Sequence, residues 1–301
     1  MNSCETIRLL TIGNSFTICL GKDLPSLVAS VPGYSLELTS AYIGGCSLER
    51  HWNNVVTSRD NPEARQYQID TWVATPAHGI ANVHRVENVN SLVEKDCWDV
   101  VTLQQASHFS WNPDTYRPFG DDLAAYVREK APRAELRIQQ TWAYRCDDPR
   151  LLPGGDWGFD QSGMHRRLTE AYLAFAERLG APLIPIGQAV RISRERETRP
   201  FVVPSEAARS ALRWPDLPPD SGDVVGRAVW RKDAEGHLFP TADHIHLNRR
   251  GEYLQACVWF LSLFGRESVP EDAYVPGDID IDDARFLRQC AADAVREGVH
   301  L

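Results

Sequence analysis

The sequence is short of the features that mark a membrane protein, a nucleic-acid binder or a disulfide scaffold. No apolar run approaches the length of about 20 residues that a helix needs to span a bilayer. Basic residues are in deficit: 32 Lys and Arg stand against 41 Asp and Glu, a net charge of −9. That balance argues against nucleic acid or an anionic membrane as partner, since both require clustered cationic side chains. The seven cysteines are odd in number and contain no C-x-x-C, so zinc-finger and dithiol redox motifs are excluded. They are expected to behave as small buried hydrophobes. The segment Met1 to Arg8 lacks the basic stretch and long apolar core of a secretory signal, and the expected location is the cytoplasm. No Ser/Gly-rich linker or internal repeat divides the 301 residues, so one domain over 1–301 is expected. With 43% hydrophobic residues, the chain has enough apolar surface for a sizeable core.

What is present is a rhythm of short apolar runs and longer amphipathic ones. Ile7–Ile12, Ser35–Ile43, Trp98–Leu103, Glu135–Gln140 and Pro182–Ile186 read as strands. Ile18–Ser30 reads as a helix bent or split at Pro25, with further helices over Pro118–Lys130, Gln161–Leu179 and Arg249–Phe264. Strands alternating with helices imply right-handed crossovers and a mostly parallel, five-stranded sheet, an α/β fold. Two insertions break the rhythm, one around 52–90 with a candidate strand pair near Tyr67–Val73, the other around 198–240. Loops of that length inside a compact domain are functional or disordered, and these are expected to wall or cover the site unless they are remote structural insertions.

Two short blocks carry the chemistry. Ser15 falls in Gly13-Asn14-Ser15-Phe16-Thr17, where the first strand must turn into a helix. A serine there projects into the crevice where open α/β sheets bind ligands, beside the free N–H groups of a helix start. A hydroxyl is a feeble nucleophile without a base, and that base needs a carboxylate to hold its tautomer. Asp243-His244-Ile245-His246 supplies both, because residues three apart are joined by a single turn of chain. The rival set is a metal site built from His237, Asp243, His244 and His246, but its spacing matches no defined motif. His244 is expected on the solvent side. No metal and no cofactor is required.

Gly13-Asn14-Ser15 and Asp243 to His246 resemble the two ends of the SGNH (GDSL-like) hydrolase superfamily, which carries its serine in a G-D-S block and closes with D-x-x-H. Asn14 departs from the commonest pattern at a place that is not a triad member there. Gly44-Gly45-Cys46-Ser47-Leu48 with His51, Trp98 to Gln105, Gln140-Thr141-Trp142 and Gly251 to Ala256 resemble one bacterial branch of it with no settled substrate. The resemblance implies a three-layer α/β/α, flavodoxin-like fold. It also implies a serine esterase with Ser15, Asp243 and His246 as triad and an acyl-enzyme intermediate.

Acyl transfer further needs donors aimed at the developing oxyanion. Ser15 N–H is one, and Gly45 N–H the second, since glycine lets backbone approach substrate closely. Most SGNH relatives take a third donor from an asparagine, where Leu103-Gln104-Gln105-Ala106-Ser107 stands here. Gln104 is the expected donor and Gln105 the alternative, because consecutive strand residues face opposite sides; the competing role for both is to satisfy backbone groups. Among nine tryptophans, Trp111, Trp142 and Trp157 are candidate sugar platforms, against the usual fate of core packing. His51 is a candidate substrate contact or a structural hydrogen-bond partner. The expected substrate is a small-molecule or oligosaccharide O-acyl ester, O-acetyl above all. A lipase or thioesterase on the same triad, or a non-catalytic carbohydrate-binding protein, are the alternatives.

Overall fold

The computed structural model describes residues 4–218 and 221–300. The chain runs β1 (Glu5–Gly13), α1 (Ser15–Ile18), α2 (Leu24–Ala29), β2 (Tyr34–Tyr42), α3 (Leu48–Asp60), β3 (Tyr67–Thr75) and β4 (Gly79–Glu87). It continues through α4 (Val89–Val93), β5 (Val100–Leu103), α5 (Phe119–Lys130), β6 (Glu135–Gln139), α6 (Gln161–Leu179), β7 (Leu183–Ile184) and α7 (Ile186–Arg196). It ends with α8 (Glu206–Ala211), β8 (Val225–Lys232), β9 (Leu238–Leu247), α9 (Arg249–Phe264) and α10 (Ile281–Glu297). No helix among the described residues is long and apolar enough to cross a membrane.

The main sheet has seven strands in the order β4-β3-β2-β1-β5-β6-β7. The five expected strands pair in parallel from β2 to β7. The 52–90 segment is not a cover over the site. It begins with the end of α3, and its hairpin β3–β4 extends the sheet antiparallel from β2. The Ile18–Ser30 helix is split, a 3-10 turn at Cys19–Lys22 separating α1 from α2, which takes Pro25 in its first turn where no N–H is missed.

Helices cover both faces. On one, α2, α7 and α10 pack around α9; on the other, α3 packs against α4 and α5. Helix α9 is buried all round, from Gly251 to Phe264 with only Ser262 less covered, which is why it carries no polar face. Chain order reverses between β1 and β5, so the connections behind these neighbours leave in opposite directions and open a crevice at their carboxyl ends. Ser15 stands at that crevice.

The second insertion, 198–240, holds α8 and most of the separate β8–β9 ribbon. Val225 pairs with Leu247 and Arg227 with Asp243, so residues 244–246 bulge out opposite Gly226 alone. Gly226 sits at φ +86°, and a Cβ there would meet the Arg145 side chain at 2.9 Å, so only glycine fits.

Candidate active site

The turn around Ser15 is built by Asn14. Its backbone is extended, and its Oδ1 caps α1 by accepting from Phe16 N–H at 3.0 Å. Its Nδ2 donates to the Cys46 carbonyl at 3.0 Å, tying the serine turn to the Gly44-Gly45 turn behind β2. Gln104 lies beneath. Its Nε2 donates to Asn14 Oδ1 at 2.6 Å, while its Oε1 accepts from Thr17 Oγ1 and from Gln139 Nε2. The Phe16 carbonyl accepts from Gln139 at 2.9 Å and from Gln255 of α9 at 2.8 Å. A one-turn helix leaves its carbonyls without partners, and these amides supply them.

The bulge of β9 brings the histidine to the serine. Asp243 Oδ1 accepts the N–H groups of Ile245 and His246, both at 3.1 Å, which closes the turn. His246 Nδ1 is 2.8 Å from Asp243 Oδ2, and His246 Nε2 is 2.9 Å from Ser15 Oγ. Burial raises the Asp243 carboxyl pKa, but the His246 ring and the two N–H groups outweigh it and hold the group well below the usual carboxylate range. Ionised Asp243 therefore accepts a hydrogen bond from Nδ1–H, leaving Nε2 to accept from the serine hydroxyl. Asp243 is nearly covered and His246 one-third exposed, so the relay meets solvent only at its reactive end.

Ser15 N–H and Gly45 N–H donate to no acceptor among the described residues. Gly45 lies on an exposed turn at φ +61°, a conformation that favours glycine. Gln104 departs from its expected role: it is 1% exposed and its amide is engaged under the turn. Gln105 is no substitute, since its Nε2 donates to Thr115 and its Oε1 accepts from Leu48 and Ala106 N–H groups. Both glutamines satisfy neighbouring polar groups.

Other candidates are also relocated. Trp142 is fully buried, stacked on Phe16, and donates from Nε1 to the Ile245 carbonyl at 2.9 Å; it is no platform. His51 is buried in α3 with Nδ1 2.8 Å from Tyr67 Oη, so it does not face substrate. Burial, then nearby Arg50, lowers its pKa to about 3. Trp111 and Trp157 are half-buried and pack together with Phe159 at centroid distances of 5.1–5.8 Å. His244 turns inward rather than to solvent, with Nδ1 3.0 Å from Asp147. The rival metal set does not converge. His237 sits at the exposed tip of the β8–β9 ribbon with Asp233 and Glu235, the only metal-capable group among the described residues.

Sequence reasoning left out the amides that hold the serine turn, Gln139 and Gln255, and the buried Arg145–Asp147 pair behind His244. Amide side chains reaching between distant elements leave no periodic trace. Gln255 was visible only as part of the Gly251 to Ala256 block.

The architecture, with its reversal beside β1, is the α/β/α fold of the SGNH hydrolases. It is similar to that of a candidate SGNH hydrolase from Slackia heliotrinireducens, at 20% identity and a TM-score of 0.50 over 86% of this chain and 100% of that one. Residues 8–198 match the model of DUF4886, a domain of unknown function, and the chain belongs to that family. A DUF4886 family protein from Bacteroides uniformis is similar along the whole length, with 26% identity, a TM-score of 0.73 and 98% of each chain covered. No curated protein sequence matches the chain.

Proposed function

We propose that this protein is a serine esterase that hydrolyses O-acyl esters, O-acetyl first, on a carbohydrate. The observation that carries the reading is the relay from Ser15 Oγ to His246 Nε2 at 2.9 Å and from His246 Nδ1 to Asp243 at 2.8 Å. Ser15 attacks the ester carbonyl as His246 takes its proton, and Asp243 stabilises the imidazolium. Ser15 N–H and Gly45 N–H receive the oxyanion. The tetrahedral intermediate collapses as His246 protonates the leaving alcohol, and water then releases the acyl group by the same steps. The sugar preference is supported by the aromatic cluster of Trp111 and Trp157 on the loops that follow β5 and β6, and by the shortage of long apolar stretches around the site blocks.

The test is hydrolysis of p-nitrophenyl acetate. Ser15→Ala and His246→Ala should each lower kcat about 10⁴-fold or more, and the double variant little further, because the residues act as a unit. Full activity in Ser15→Ala would remove the reading.

A further inference from the structure

The two edges of the main sheet are built differently. Strand β7 ends it with two residues, Leu183–Ile184, a short edge that gives another chain little to pair with. Strand β4 ends it on the other side with nine, Gly79–Glu87, paired with β3 in an unbroken register from Thr75–Gly79 to Tyr67–Glu87. Alternate residues of such a strand point their N–H and C=O groups away from the neighbour. Among the described residues nothing bonds to them. We propose that β4 is where a second copy of this chain docks, the two strands pairing antiparallel about a two-fold axis at Val83, so that one sheet continues into the other. The proposal is independent of the esterase reading.

Edge strands that stay single carry Lys, Pro, a bulge or charges that guard the open side. β4 has no Lys, no Pro and no bulge. Its titratable side chains are engaged within the chain. His84 Nδ1 lies 3.1 Å from Asp70 Oδ1, Arg85 donates to Thr71 Oγ1 at 3.2 Å, and Glu87 pairs with Arg65 at 3.5 Å. What is left open is apolar: Ile80, Val83 and Val86 are 46%, 59% and 53% exposed. Val73 of β3, exposed on the same face as Val83, widens the patch.

Spacing selects the partner. Ile80 and Val86 stand three residues to either side of Val83, so the strand is its own complement. With Val83 opposite Val83 of the second copy, Ile80 meets Val86 and Val86 meets Ile80 on one face, while the two valines meet on the other. His84 then faces Asn82, Arg85 faces Ala81 and Glu87 faces Gly79, so no like charges are opposed. Moving the axis to Arg85 sets two guanidinium groups against each other. Moving it to Asn82 or His84 loses the Ile80–Val86 pairs. A foreign strand matches this pattern only by accident, whereas two-fold pairing, the commonest symmetry of homo-oligomers, matches it by construction.

The test is the mass of the full chain in solution, by light scattering behind size exclusion over a hundredfold dilution series. The wild-type protein should run at twice the 33.9 kDa of one chain and dissociate on dilution. Val83→Lys sets two ammonium groups across the axis and should weaken the dimer at least tenfold, with far-UV circular dichroism unchanged. A second measurement holds should that variant not fold. In a background carrying Cys4→Ser and Cys146→Ser, which removes the exposed thiols, Val83→Cys should give a reducible covalent dimer on mild oxidation, since directly opposed strand residues lie within disulfide reach. Ala81→Cys, on the same face but two residues off the axis, should not. A wild-type protein that is monomeric at the top of the series would overturn the proposal and leave the edge to a foreign strand. A dimer indifferent to Val83→Lys, or equal cross-linking at positions 81 and 83, would overturn it as well.

Discussion

The indole of Trp142 lies flat on the ring of Phe16, with centroids 4.0 Å apart and planes 15° apart, and its N–H holds the Ile245 carbonyl at 2.9 Å. Phe16 follows the nucleophile and Ile245 precedes the base. One buried side chain therefore spans the two segments whose separation sets the Ser15–His246 hydrogen bond. Trp142→Phe keeps a ring on Phe16 but leaves the Ile245 carbonyl without its donor, a loss of about 1 kcal/mol in stability. Misplacement of a reacting group by about 1 Å can cost 10²-fold in rate. The expected outcome is a 10- to 100-fold fall in kcat for aryl acetates and sugar esters alike, measured on both. A selective loss on sugar esters would restore Trp142 as a platform.

Gln104 separates a structural role from an oxyanion role in one variant. Gln104→Met keeps the length and removes the amide, so Thr17 Oγ1 loses its buried partner, while Asn14 Oδ1 keeps the Phe16 N–H and Gln139 Nε2 keeps the Phe16 carbonyl. A buried group left unsatisfied costs about 1–3 kcal/mol. The expected result is a fall of about that size in unfolding free energy by urea titration. An oxyanion donor would instead show a 10²–10³-fold loss in kcat with stability intact.

These two residues mark where sequence reading stops. The strands and the helices Gln161–Leu179 and Arg249–Phe264 were legible because periodicity and punctuation agree there, with Gly180 and Gly265 ending α6 and α9 in left-handed conformation. Ser15, Asp243 and His246 were legible as types at the right places, a strand end and a D-x-x-H. Helix α10 was left unread although Asp280 caps it and Ala284, Leu287, Ala291 and Ala294 recur at helical spacing on its buried face. Helix α3 was hidden by polar residues over Leu48–Asp60, although Ser47 caps it by accepting from Arg50 N–H. The contact of Gln104 with Asn14 spans 90 positions, and no local pattern records it.

Buried His51 and half-buried His165 make stability depend on pH. Burial, ahead of nearby arginines, lowers the His51 pKa to about 3 and the His165 pKa to about 4. Unfolded histidine titrates near 6.5, so between about pH 6.5 and 4 the unfolded state binds more protons than the folded one. Stability is then fully present above about pH 6.5 and falls as pH drops through that window, by up to about 1.4 kcal/mol per pH unit for each histidine. His51→Asn retains a polar partner for Tyr67 and cannot protonate. Its Tm should be lower at pH 7 but should decline less between pH 6.5 and 4.5 than that of the wild type, by thermal melts in matched buffers. Parallel declines would mean that His51 is protonated in the folded state.

Acyl-chain length tests what the site is built to hold. An apolar acyl channel would stabilise the bound substrate by about 0.8 kcal/mol for each methylene buried. Lengthening acetyl to octanoyl adds six, so such a channel would raise kcat/KM by roughly three orders of magnitude, at about 1.4 kcal/mol per factor of ten. The turns that flank Ser15 offer glycine backbone, while Phe16 and Trp142 spend their aromatic surface on each other. Binding energy is therefore expected from the alcohol side, with the acyl group contributing little. In a p-nitrophenyl ester series, acetate should give the highest kcat/KM and octanoate a value at least tenfold lower. A rise towards octanoate would hand the same triad to a lipase or thioesterase, because the added methylenes would then be reaching apolar surface.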